Sequence, residues 1–186
     1  MTDSSDARSQ ESEARIHLVP YDSAWPSLFA QEQSLLRREL RKWLSGPIEH
    51  VGSTAIPGLV AKPVIDIMAG VESLAASQGA IAAASRLGYG YFPYKSDVMH
   101  WFCKPSPAFR THHLHLVPVD SPPWRDSLAF RDYLRVNPEV ATEYAALKRR
   151  LASEYEFDRE AYTEAKGPFI QRVIELSRVQ RRIPNH

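Results

Sequence analysis

The sequence predicts an α+β fold, a small mixed β-sheet flanked by helices with a helical C-terminal third packed on it. Two observations lead there. Short apolar runs with strand character, punctuated by Gly and Pro, crowd into residues 48–118, interrupted by one Ala- and Ser-rich helical interval at 73–87. Helix-period apolar stripes occupy the stretches on either side, residues 25–44 and 124–180.

Taken in order, residues 1–14 hold Ser, Asp, Glu and Gln without an apolar cluster. They read as a disordered polar tail, leaving 15–186 as a single domain. Residues 16–20 alternate weakly and suit an edge strand or extended lead-in. Asp22 or Ser23 then caps a helix with Trp25 and Pro26 in its first turn. Leu28, Phe29, Leu35, Leu36, Leu40 and Trp43 make its apolar stripe. Arg37, Arg38, Arg41 and Lys42 near its end either face a polyanion or, more simply, complement the helix dipole from solvent. Gly46-Pro47 ends this helix and opens a strand through Val51.

A second strand starts after Pro63 and runs to about Val71. The Ala-rich helix stops at Gly88, the aromatic run 89–94 reads as core, edge or a stacking wall, and strands follow at 98–104 and 110–118. Pro122 and Pro123 open a helix to about Val136, and Asn137-Pro138 breaks it and starts another to about Tyr155. The last helical region, 159–180, is interrupted at Gly167-Pro168.

The chemistry concentrates in residues 50–71. Gly52 lets backbone N–H groups approach an anion, and Ser53 and Thr54 add hydroxyl donors. Asp66 is the odd residue among Val64, Ile65, Ile67 and Met68, and a carboxylate in such a strand needs a partner or a metal ion. Lys62, just before it, can neutralise phosphate charge or be an ordinary loop lysine. In the strand at 110–118, His113 and His115 point to one face and His112 and Leu114 to the other. Two imidazoles on one face suit metal ligation or acid–base work. Cys103 reads as a small buried residue.

The wording Gly52-Ser53-Thr54-Ala55-Ile56-Pro57-Gly58-Leu59, then Lys62-Pro63-Val64-Ile65-Asp66-Ile67, resembles the GrpB family. More broadly it resembles the nucleotidyltransferase superfamily of the DNA polymerase beta type, in which Gly-Ser precedes an Asp-x-Asp or Asp-x-Glu strand. The GrpB resemblance extends to His113-Leu114-His115-Leu116, to Phe130-Arg131-Asp132-Tyr133-Leu134 and to Tyr162-Thr163-Glu164-Ala165-Lys166, so it covers about residues 16–180. It implies a nucleotidyltransferase-like sheet. It also implies a metal-assisted enzyme that moves a nucleoside monophosphate or related group from a nucleoside triphosphate to a small acceptor. On that reading Gly52, Ser53 and Thr54 hold phosphates, Lys62, Arg131 and Lys166 add phosphate contacts, and Lys148 is a further helical lysine within reach of the site mouth. Asp66 and His115 hold Mg²⁺ (or Mn²⁺), and Asp66, His113 and His115 are the catalytic candidates. Family members fused to dephospho-coenzyme A kinase suggest a coenzyme A-related link.

One departure stands out. The superfamily's second carboxylate falls at position 68, which is Met68 here. The histidines are the substitutes proposed for the missing carboxylates, since residues 98–119 contain no Asp or Glu on the following strands. Met68 also keeps two other readings open: a catalytically reduced nucleotide- or phosphate-binding module, and an enzyme that uses the His113/His115 pair on a non-nucleotide substrate.

Bulk composition narrows the field. The chain has 44% hydrophobic and 24% charged residues and a net charge of +1, which argues against general nucleic-acid coating or an anionic-membrane role. Its one cysteine suits a reducing compartment, no apolar run reaches the ~18 residues of a membrane span, and no signal core opens the chain. A cytoplasmic location is the expectation.

Overall fold

The structure, a computed structural model, describes residues 15–182; the polar tail expected at 1–14 lies outside the described residues. Five strands form one mixed sheet: β1 (Leu44–Val51), β2 (Ile65–Val71), β3 (Gly90–Phe92), β4 (His100–Pro105) and β5 (Arg110–Pro118), in the order β1-β2-β5-β4-β3. The central pair β2–β5 is parallel and the other neighbours are antiparallel. Six helices surround it: α1 (Trp25–Leu40), α2 (Gly79–Ser85), α3 (Pro122–Val136), α4 (Pro138–Glu154), α5 (Arg159–Ala165) and α6 (Gly167–Arg182). The mixed sheet, flanking helices and helical C-terminal region are those the sequence predicts.

Alternation along β2 sorts the two faces. Ile65, Ile67, Ala69 and Val71 join Leu114, Leu116 and Phe102 under α1 and α2 in the main core. Asp66 and Met68 point the other way, with His113 and His115 beside them in register. On that second face Met68, Val51 and Val117 pack under Trp124 of α3. A further core joins Ile56, Leu59 and Val60 of the β1–β2 connection to α3, α4 and α6. The C-terminal helices therefore hold the β1–β2 connection against the sheet, which is what positions the site.

Prolines set the helix starts: Pro26, Pro122 and Pro138 each fall in a first turn, where the missing N–H has no intrahelical acceptor to lose. Asp158 caps α5, its Oδ1 accepting from the Ala161 N–H at 2.9 Å.

Several boundaries differ from the sequence reading. The first helix ends at Leu40 and the strand begins at Leu44, ahead of Gly46-Pro47. The lead-in makes only an isolated bridge between Val19 and Ala61. Regular helix in the 73–87 interval is confined to Gly79–Ser85. The stripe of α1 is rotated: Leu28 and Leu35 are exposed, whereas Trp25, Glu32, Leu36 and Leu40 are buried. A carboxylate sits in that stripe because Lys104 Nζ and the Tyr89 hydroxyl both donate to Glu32 Oε1, at 2.6 and 3.0 Å. Cys103 is buried, as expected. Among the described residues no helix is long and apolar enough to cross a membrane.

Candidate active site

The register of the parallel pair puts Asp66 beside His113 and Met68 beside His115. The His113 Nδ1–H donates to Asp66 Oδ1 at 2.8 Å, and His115 Nε2 lies 3.9 Å from the same oxygen. One ligand atom from each of Asp66, His113 and His115 lies within 4.8 Å of the others. Burial by itself pushes the Asp66 carboxyl up, but hydrogen bonding and electrostatic attraction to the His113 and His115 imidazoles outweigh it and hold the group well below the usual carboxylate range. Burial lowers the His113 pKa despite its bond to Asp66, which favours the neutral imidazole. With its proton on Nδ1, His113 has a lone pair on Nε2, which is buried and meets no hydrogen-bond partner among the described residues.

Gly52 lies directly against this carboxylate. Its φ is +70°, and a Cβ there would collide with the Asp66 side chain, so both the turn and the close approach require glycine. Ser53, next in the chain, starts a single 3₁₀ turn over Ser53–Ala55. Its Oγ accepts from Lys148 Nζ of α4 at 3.1 Å, and Lys148 also donates to the Val60 carbonyl. Lys62, half-buried before β2, and Lys166, at the break between α5 and α6, converge on the Tyr162 ring, with Nζ atoms 5.3 and 4.3 Å from its centroid. Lys148 is only 2% exposed.

Burial lowers all three ammonium groups, Lys148 to about 7, Lys166 to about 7 and Lys62 to about 8; repulsion adds to it, from Lys166, Arg149 and Lys62 on Lys148, from Lys62 on Lys166, and from Arg159 and Arg110 on Lys62. For Lys62 and Lys166 the nearby Asp66 charge pulls in the opposite direction, but not enough. Among the described residues none of the three is in an ion pair with a carboxylate. Three inward-facing lysines thus gather beside Asp66, Lys148 on the Gly-Ser turn and Lys62 and Lys166 on the Tyr162 ring.

The remaining sequence candidates fall elsewhere. Thr54 is interior: its hydroxyl donates to the Val64 carbonyl at 3.1 Å and accepts from His50 Nε2 at 3.0 Å, stitching the turn to β1. Arg131 is not with the lysines. Its guanidinium donates to Glu49 at 2.7 Å, to Asp132 at 2.7 Å and to the His50 carbonyl at 3.0 Å. It lines a separate cleft of about 440 Å³ at the β1 edge, together with Phe29, Arg37 and Arg135. Met68 is 2% exposed and packed under Trp124, so apolar contact fills the place of a second carboxylate on that strand. Glu49 faces Met68 across the β1–β2 ladder, but Arg131 holds it.

One carboxylate and two imidazoles form a donor set that fits a divalent ion, and Asp66, His113 and His115 are the residues that would hold it. Nitrogen donors suit Mn²⁺ or Zn²⁺ better than Mg²⁺, which prefers an oxygen shell.

Comparison with known proteins gives the family. The family described as GrpB protein matches residues 15–176. This chain belongs to the GrpB family. A UPF0157 protein of Pseudomonas aeruginosa is 41% identical over 164 residues, covering 86% of this chain and 66% of the relative. The crystal structure of the conserved protein GrpB from Enterococcus faecalis superposes with a TM-score of 0.80 at 32% identity, covering 88% of this chain and 98% of that one. A Mycolicibacterium paratuberculosis protein named dephospho-CoA kinase is 31% identical over 191 residues, covering 87% of this chain but 46% of the relative. This GrpB chain thus spans about two thirds of the Pseudomonas relative and under half of the kinase-named one.

Proposed function

We propose that this GrpB protein is a metal-assisted nucleotidyltransferase-like enzyme of the DNA polymerase beta superfamily. It would move a nucleoside monophosphate or related group from a nucleoside triphosphate to a small acceptor. One observation carries this reading: three inward-facing lysines gather beside the Asp66–His113–His115 group, Lys148 bonded to Ser53 of the Gly52-Ser53 turn and Lys62 and Lys166 meeting on the Tyr162 ring within reach of the Asp66 charge. A triphosphate on that turn supplies the negative charge the lysines lack. Lys148 clamps the turn through Ser53, and Lys62 and Lys166 neutralise the outer phosphates. Asp66 and His115, with His113 beside them, would hold a divalent ion, Mn²⁺ or Mg²⁺, and such an ion would supply charge stabilisation for the transferred group and a lowered pKa for the acceptor hydroxyl. The name of the Mycolicibacterium relative supports a coenzyme A-related metabolic setting.

A second reading rests on the 2.8 Å bond between Asp66 and His113. A carboxylate that fixes one imidazole tautomer leaves the other nitrogen as a base, so the His113/His115 pair can serve acid–base chemistry on a non-nucleotide substrate. An assay of pyrophosphate release from ATP, GTP, CTP and UTP, with Mn²⁺ or Mg²⁺ and a panel of hydroxyl acceptors, tests the first reading. Release that requires the ion and vanishes in Asp66→Asn supports it. Triphosphate binding without any release leaves only the reduced binding module, and turnover of a non-nucleotide substrate that survives a chelator establishes the second reading.

A further inference from the structure

Trp124 of α3 closes the sheet face that carries Asp66 over Val51, Met68 and Val117. Toward β4 and β3 the same face continues as a row of rings. Trp101 pairs with His115 across β4–β5 and with Phe92 across β3–β4, so all three side chains share one face. The Trp101 ring lies 5.2 Å from His113, 5.7 Å from Phe92 and 6.1 Å from Tyr94, centroid to centroid. The contrast with the opposite face is sharp. There Tyr89 and Phe102 are fully enclosed in the main core, whereas Trp101 and Phe92 are half-buried and Tyr94 is 48% exposed. Contiguous aromatic surface left open beside a polar site is unusual unless something covers it. Arg110 lies over the Trp101 ring, its Cζ 5.1 Å from the centroid, and brings positive charge to the platform.

We propose that Trp101, backed by Phe92 and Tyr94, is the platform on which the nucleobase of the nucleotide substrate stacks. The occupant is argued from the order of groups across this face. The lysine-ringed Ser53 turn comes first, then Asp66 with His113 and His115, then Trp101. That is the order of phosphates, reacting phosphorus and base in a nucleoside triphosphate. Trp101 lies two strands from Asp66, about 10 Å away at ordinary strand spacing, a gap that a ribose bridges. Stacking on an aromatic side chain tolerates any base, because every base has a π-face. The assignment rests on the nucleotide reading above and adds the ring-binding half of the site.

The test is calorimetric titration of inorganic tripolyphosphate and of ATP, GTP, CTP and UTP, each with Mn²⁺, into wild type, Trp101→Ala and Trp101→Phe. Thermal melts establish that each variant folds. The expected result is that at least one nucleotide binds wild type more tightly than tripolyphosphate does. Trp101→Ala then weakens that nucleotide by about tenfold or more while tripolyphosphate is unchanged, and Trp101→Phe restores most of the loss. Tripolyphosphate binding with no nucleotide advantage, or equal losses for both ligands in Trp101→Ala, overturns the stacking assignment alone. Failure of tripolyphosphate and every nucleotide to bind wild type overturns the phosphate reading and this assignment with it.

Discussion

Glu32, Lys104 and Tyr89 close on one another, whereas Lys62, Lys148 and Lys166 face each other and a single carboxylate, Asp66, that two histidines already engage. Both groups are largely buried, and both link segments far apart in the chain. In the first, a cation, an anion and a hydroxyl satisfy one another, and Lys104 also lies 4.8 Å from the Tyr89 ring centroid. In the second, positive charge is gathered without matching negative charge. A buried charge that is paired is explained by the fold alone; one that is left unpaired points to something outside the chain. The comparison separates structural polarity from functional polarity without reference to any relative.

The same substitution in each group has opposite expected consequences. Lys104→Met leaves the Glu32 carboxylate buried with only Tyr89 to meet it. It is expected to lower stability by about 3–5 kcal/mol in denaturant titration, with no change in triphosphate binding. Lys166→Met removes a cation that burial and Lys62 already disfavour. Stability is expected to hold or rise, while triphosphate affinity falls about tenfold or more. Equal destabilisation by both substitutions would erase the distinction.

What the sequence showed of these groups follows the range of its signals. Asp66, His113 and His115 were legible because strand alternation fixes a side chain's face, and two short motifs then need only one strand pairing to meet. Gly52 was legible because few positions beside a Ser tolerate a backbone that must approach a charge. Lys148 and Lys166 were harder: each sits on or beside a helix, where a lysine is ordinarily solvated, and only the packing of α4 and α5 against the Ser53 turn brings them inward. Arg131 stood in a family-like stretch, yet its partner Glu49 lies on a strand 82 residues away and turns it to the β1 edge. Glu32 was missed because Leu28 and Leu35 offered a more apolar stripe than the one the helix buries. Apolar count does not reveal a carboxylate whose compensating lysine lies on β4.

The depressed lysines also make stability depend on pH. The unfolded chain holds its lysines at a pKa of about 10.4. In the folded protein Lys148 and Lys166 lie at about 7 and Lys62 at about 8. Between those values and the unfolded one, the unfolded state binds more protons, so stability rises as pH increases from about 7 toward 10. Denaturant titrations across that window are expected to show the rise in wild type and a flatter profile in the Lys148→Met, Lys166→Met double variant. A profile that is flat in wild type would mean that the three ammoniums are not under strain.

The central claim, that the lysine-ringed turn is a polyanion site, meets its most direct test in proton-linked calorimetry. ATP with Mn²⁺ is titrated into the protein at about pH 8 in buffers of different ionisation enthalpy. Bound phosphates draw the depressed ammoniums back to their charged form, so binding is expected to take up protons from the buffer, and Lys166→Met is expected to reduce both the affinity and the uptake. Absence of binding, or binding with no proton uptake that Lys166→Met leaves untouched, would contradict the account.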